Sequence, residues 1–164
     1  MRISAGNIDG IVREYSEPLY RYIRRLVICH EDAEDILQET FIKAFRKLWQ
    51  LRDSSSLRPW LYRIATNEVN KFFSSRKMEA GLEEALLERL EASEYVNLQD
   101  IAGRRLQEAV IRLSPLQRTV FNLRYYDEMN YDQISQVTGS KPETLKVVWH
   151  NARKKVEEYL KMEI

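Results

Sequence analysis

Cysteine is nearly missing from this chain: Cys29 is the only one in 164 residues. One thiol excludes an intramolecular disulfide and suits a reducing compartment. Glycine and proline are sparse as well, at five and four residues, and strand-like alternation is hard to find, which argues against an all-β fold. No apolar run approaches bilayer length and no signal-peptide pattern opens the chain, so a cytoplasmic location without membrane insertion is expected. Histidine occurs only at 30 and 150, and Gly-rich phosphate loops are absent. No nucleophile, base and orienting group can be assembled, so no catalytic residue, metal or cofactor is assigned and no enzyme is expected.

The residues that are abundant point one way. Hydrophobic residues make up 44% and charged residues 31%, enough apolar content for a folded rather than disordered chain. Long stretches of Leu, Glu, Arg, Lys and Ala favour an all-α fold. The net charge of +1 conceals three blocks. Residues 1–77 carry 14 Lys and Arg against 10 Asp and Glu, residues 78–100 carry one against seven, and residues 101–164 carry 11 against eight. Two basic modules flanking an acidic connector suit an anionic polymer at both ends, although two solvated helical domains would look the same by charge alone. The expected organisation is a domain over 1–77, a flexible, partly helical or extended acidic linker over 78–100, and a second domain over 101–164.

Periodicity fills in the helices. Ile8, Ile11, Val12, Tyr15, Leu19, Tyr22, Ile23, Leu26 and Val27 share a face, with Pro18 expected to kink or restart the helix and Ser16 to cap it. A second helix from near Glu31 to Trp49 carries Ala33, Ile36, Leu37, Phe41, Ala44, Phe45 and Leu48 inward. A third begins near Pro59, with Trp60, Leu61, Ile64, Ala65 and Phe72 as its core stripe. Further on, Ser114-Pro115-Leu116-Gln117 and Asn130-Tyr131-Asp132-Gln133 read as capping boxes, and Ser140 as the cap of the last helix. That helix turns Leu145, Val148, Trp149, Ala152, Val156 and Leu160 inward.

A short helix, a turn at Gly139 and a longer basic helix form a helix-turn-helix. The outward residues Glu143, Thr144, Lys146, Val147, His150, Asn151 and Lys154 suit a major groove, where Val147 could meet a thymine methyl. In the second helix, Asp35, Gln38, Glu39 and Ile42 oppose the apolar face and suit a basic docking partner. A metal site from Glu31, Asp35 and Glu39 is the weaker alternative, lacking a completing cluster. In the third helix Arg63, Asn67, Asn70 and Ser74, with Lys71 and the aromatics Tyr62 and Phe73 nearby, suit unstacked bases.

Together these segments resemble the extracytoplasmic-function (ECF) sigma factors of the sigma-70 family. Residues 32–41, DAEDILQETF, are similar to the helix that docks on the clamp of RNA polymerase; residues 60–67, WLYRIATN, to the segment that reads and melts the −10 element. Residues 113–118, LSPLQR, through Thr144-Leu145-Lys146 to His150-Asn151-Ala152-Arg153, resemble the −35-reading domain. The resemblance implies core RNA polymerase as partner, at its β′ clamp and β flap, with Asp35, Gln38, Glu39 and Ile42 docking on the clamp. It implies −10 contacts from Arg63, Asn67, Asn70 and Lys71, and −35 contacts from Thr144, Lys146, Val147, His150, Arg153 and Lys154. Promoter DNA and an anti-sigma factor would be the other partners. Lys71, Ser74 and Lys141-Pro142-Glu143 depart from common ECF residues, which implies a distinctive promoter preference. The rival reading is a ligand-sensing helix-turn-helix regulator that works without polymerase.

Overall fold

The computed structural model describes residues 7–75, 82–92 and 101–162. Eight α-helices follow one another in the described residues, with no strand among them. Helix α1 (Ile8–Val27) buries Ile11, Leu19, Tyr22, Ile23, Leu26 and Val27. Pro18 lies inside it and does not restart it. Ser16, expected as a cap, instead donates its hydroxyl to the Val12 carbonyl. An interior proline costs about 3 kcal/mol, and burial of a stripe of large side chains on both sides of Pro18 offsets that.

A tight turn at Ile28 and Cys29 leads to α2 (His30–Lys47), which buries Ala33, Ile36, Phe41 and Ala44. It stops at Lys47 and passes into a 3₁₀ turn over Leu48–Gln50, ahead of the expected end. Helix α3 (Leu57–Ser75) starts two residues before Pro59, which sits in its first turn. Its buried residues include Leu61, Tyr62, Ala65 and Val69.

Helix α4 (Leu82–Ala92) occupies the middle of the acidic stretch. It is not a free tether. Leu86 and Leu90 are buried against Ile28 and Ile111, and Arg89 donates to Asp32 Oδ2 at 2.9 Å and to the Val27 carbonyl at 3.1 Å.

Helix α5 (Ile101–Ile111) is followed by α6 (Pro115–Phe121), a π-turn over Asn122–Tyr126, α7 (Tyr131–Thr138) and α8 (Pro142–Lys161). Ser114 and Asn130 both form complete capping boxes with Gln117 and Gln133. Gly139 ends α7 at φ +80, and this left-handed turn aims α8 across α7. Ser140 does not cap α8: Lys141 holds that position without a side-chain bond, and the Ser140 carbonyl accepts from the Ser135 hydroxyl.

Helices α1 to α3 enclose one core, and α5, α6 and α8 a second, around Ala109, Val110, Leu113, Phe121, Ala152 and Val156. The two are joined. Helix α7 packs on α3, so Val120, Leu123, Met129, Ile134 and Val137 belong to the same apolar cluster as Leu61 and Ala65. A buried ion pair marks the seam: Arg25 Nη2 lies 2.8 Å from Asp127 Oδ2, with side chains only 8% and 9% exposed. Arg25 Nε also donates to Asn122 Oδ1 at 3.0 Å, and its guanidinium stands 4.4 Å from the Tyr126 ring centre. Tyr62 donates to Asp127 Oδ1 at 3.0 Å, and Arg58 to the Asp127 carbonyl. Burial pushes the Asp127 carboxyl above the ordinary carboxylate range although Arg25 and Tyr62 oppose it. It also raises the Tyr62 phenol, followed by the nearby Asp127 charge, so this hydroxyl stays a donor.

Candidate nucleic-acid interface

The helix-turn-helix is built by the cap at Asn130, the glycine at 139 and the apolar face of α8. Leu145, Ala152 and Val156 are buried there, with Val148 and Trp149 half-buried. Geometry then forces the remaining residues outward. Thr144, Lys146, Val147, His150, Asn151, Arg153 and Lys154 are all exposed. Val147 is 60% exposed, an apolar side chain that the fold does not need. Arg153 Nε lies 3.7 Å from Glu157, one helical turn on. The Lys146 ammonium stands 5.9 Å from the Tyr131 ring centre.

On α3, Arg63, Asn67, Asn70 and Lys71 are exposed along one stripe. Asn67 and Asn70 line a cleft of about 200 Å³ whose opposite wall is Pro115, Leu116, Thr119, Val137 and Thr138 of α6 and α7. The polar face of α3 thus looks at the C-terminal half of the chain. Tyr62 is not available to stack on a base: it is fully buried, its ring 5.0 Å from Tyr22. The helical period places it one residue before Arg63 and on the inner side, and Asp127 engages its hydroxyl. Phe73 is half-buried, in edge contact with Phe72 at 5.4 Å, and Trp60 packs half-buried against the core.

On α2, Asp35, Gln38 and Ile42 are exposed and Glu39 is half-buried. An ion pair from Lys43 to Glu68 ties this helix to α3 beside the stripe. Glu31, Asp35 and Glu39 do not converge: among the described residues no three His, Cys, Asp or Glu side chains are grouped to hold a metal ion. Sequence reasoning missed Trp49, which is 77% exposed on the turn after α2. A tryptophan placed past the last inward residue of an amphipathic helix was the available signal. It also missed Arg25, Arg58 and Asp127, whose partners lie far away in sequence.

Comparisons with known proteins bear on the family and the fold. Residues 11–78 match Sigma-70 region 2 and residues 103–156 match Sigma-70 region 4. The chain is 26% identical over 155 residues to the RNA polymerase sigma factor YlaC of Bacillus subtilis, covering 90% of this chain and 88% of that one. It is 31% identical over 159 residues to the ECF RNA polymerase sigma factor SigE of Mycolicibacterium smegmatis, covering 93% and 61%. Its fold is similar to that of the sigma factor RpoE of Bartonella quintana, solved in complex with the anti-sigma factor NepR. There the TM-score is 0.73 at 23% identity, over 96% of this chain and 99% of that one. No helix among the described residues is long and apolar enough to cross a membrane. Two matched regions in order, and ECF relatives aligned along most of the chain, make it a member of the sigma-70 family, an ECF sigma factor that directs promoter-specific transcription by RNA polymerase.

Proposed function

We propose that this chain divides promoter recognition between its two halves, without enzymatic chemistry of its own and in the cytoplasm. Residues 1–77 form the polymerase-docking and −10 module, residues 78–100 the connector, and residues 101–164 the −35 module. Thr144, Lys146, Val147 and His150 read the −35 major groove, with Arg153 and Lys154 on its phosphates. Arg63, Asn67, Asn70 and Lys71 hold the melted −10 strand, where capture of an unpaired base offsets an unstacking cost of a few kcal/mol. Asp35, Gln38, Glu39 and Ile42 dock on the β′ clamp, and the C-terminal module meets the β flap. An anti-sigma protein is the expected regulator, because the solved relative of similar fold carries one.

The observation that carries this reading is the outward face of α8, where cations and the Asn151 amide share the surface with an exposed Val147. The test mixes the purified chain with core RNA polymerase. Co-purification and transcription from discrete start sites are expected, and a chain that binds DNA but never polymerase refutes the assignment. With Lys146→Ala, upstream-element affinity should fall about 5- to 100-fold, the range for loss of one base contact, while polymerase association survives.

A further inference from the structure

Lys146 is a long, exposed side chain near the start of α8, and an unrestrained lysine is ordered only when it meets DNA. Here its ammonium lies 5.9 Å from the centre of the Tyr131 ring, within the reach of a cation–π contact. Tyr131 is the first residue of α7, directly after the Asn130 cap, and is half-buried. The Arg124 guanidinium stands 4.8 Å from the same ring centre. Arg124 Nη1 in turn donates to the Met129 carbonyl at 3.0 Å, across a loop where Glu128 takes φ +55 and Met129 is fully buried. A chain of contacts therefore runs from the loop that buries Met129 through one aromatic ring to the first turns of the groove-facing helix.

We propose that Tyr131 is a positioning residue for −35 recognition: its ring, set by Arg124, pre-orders Lys146 for the major groove. This rests on the reading of Lys146 as a groove contact. Neither Tyr131 nor Arg124 need touch a base. Their effect is to remove part of the ordering that Lys146 would otherwise undergo on DNA, an effect of about two- to tenfold in affinity for one such side chain.

The test uses full-length chain with core polymerase on a promoter fragment mapped from transcripts the chain itself starts. Three variants are compared with wild type: Tyr131→Leu, Tyr131→Phe and Lys146→Ala, with the Leu and Ala changes also combined. In the free protein, NMR of the Lys146 side-chain methylenes reads the contact directly through the ring-current shift. We expect Tyr131→Leu to abolish that shift and weaken promoter binding about two- to tenfold. Tyr131→Phe should keep both, and Tyr131→Leu should add nothing once Lys146 is already Ala. Equal loss with Phe and Leu would assign the effect to the hydroxyl and overturn the proposal. Full additivity with Lys146→Ala would overturn it too, as would a lost shift with unchanged binding. If Lys146→Ala itself leaves promoter binding intact, the groove assignment of Lys146 fails, a different result from any of these.

Discussion

Gly139 takes φ +80 at the end of α7, and a Cβ built there meets no atom within 4 Å. A substitution is therefore strained by backbone conformation alone. Gly139→Ala should cost about 1–2 kcal/mol and lower the melting temperature by about 2–8 °C, read by calorimetry. The glycine and the Asn130 and Ser114 caps were legible because each acts within four residues of itself. Val147 was legible for the opposite reason, as an apolar residue on the wrong face of its helix. Tyr62 was not: it neighbours Arg63 and looks like part of a polar surface. Its burial follows from Tyr22 and Asp127, residues 40 and 65 positions away.

At the scale of elements, periodicity placed α1, α2 and α3 well, because each needs one apolar stripe to enclose a core. Helix α4 was harder to see. Its glutamates suggested a flexible linker, partly helical or extended, while Leu86 and Leu90, nearly sealed from solvent, pack it against Ile28 and Ile111. Leu→Ala at such a site costs about 2–5 kcal/mol. We expect Leu86→Ala with Leu90→Ala to detach α4 while the flanking helices stay folded. Limited proteolysis should then cut within residues 82–92 much faster than in the parent, with little change in helical circular dichroism. Unchanged resistance to protease would mean that the polar ties of Arg89 to Asp32 and Val27, and of Glu83 to Arg112, hold the helix without the leucines.

The seam between the two halves belongs to the molecule as a whole and had no local signature. Arg25 and Asp127 read as ordinary surface charges until the fold brings them together. Buried pairs of this kind contribute little net stability, but removing one partner strands the other at about 3–5 kcal/mol. Arg25→Ala or Asp127→Ala alone should therefore loosen the seam, whereas Arg25→Met with Asp127→Leu should leave it closed. Small-angle scattering distinguishes these outcomes: a compact chain of this length has a radius of gyration of about 15 Å, and the single variants should exceed it. Equal expansion by the double variant would mean that the charge pair, not the apolar packing of α7 on α3, dominates closure.

Closure also fixes an arithmetic of promoter occupancy. The −10 and −35 elements stand about 25 base pairs apart, roughly 85 Å of duplex at 3.4 Å per pair. A folded body with a radius of gyration near 15 Å cannot reach both, and Asn67 and Asn70 face α6 and α7 while it is shut. On the division of labour proposed above, only an opened form would bridge both elements, and the apparent dissociation constant would be the intrinsic one divided by the opened fraction. Each 1.4 kcal/mol by which the seam favours closure weakens occupancy about tenfold. Any partner that holds α3 and α7 apart gains the same factor for the DNA.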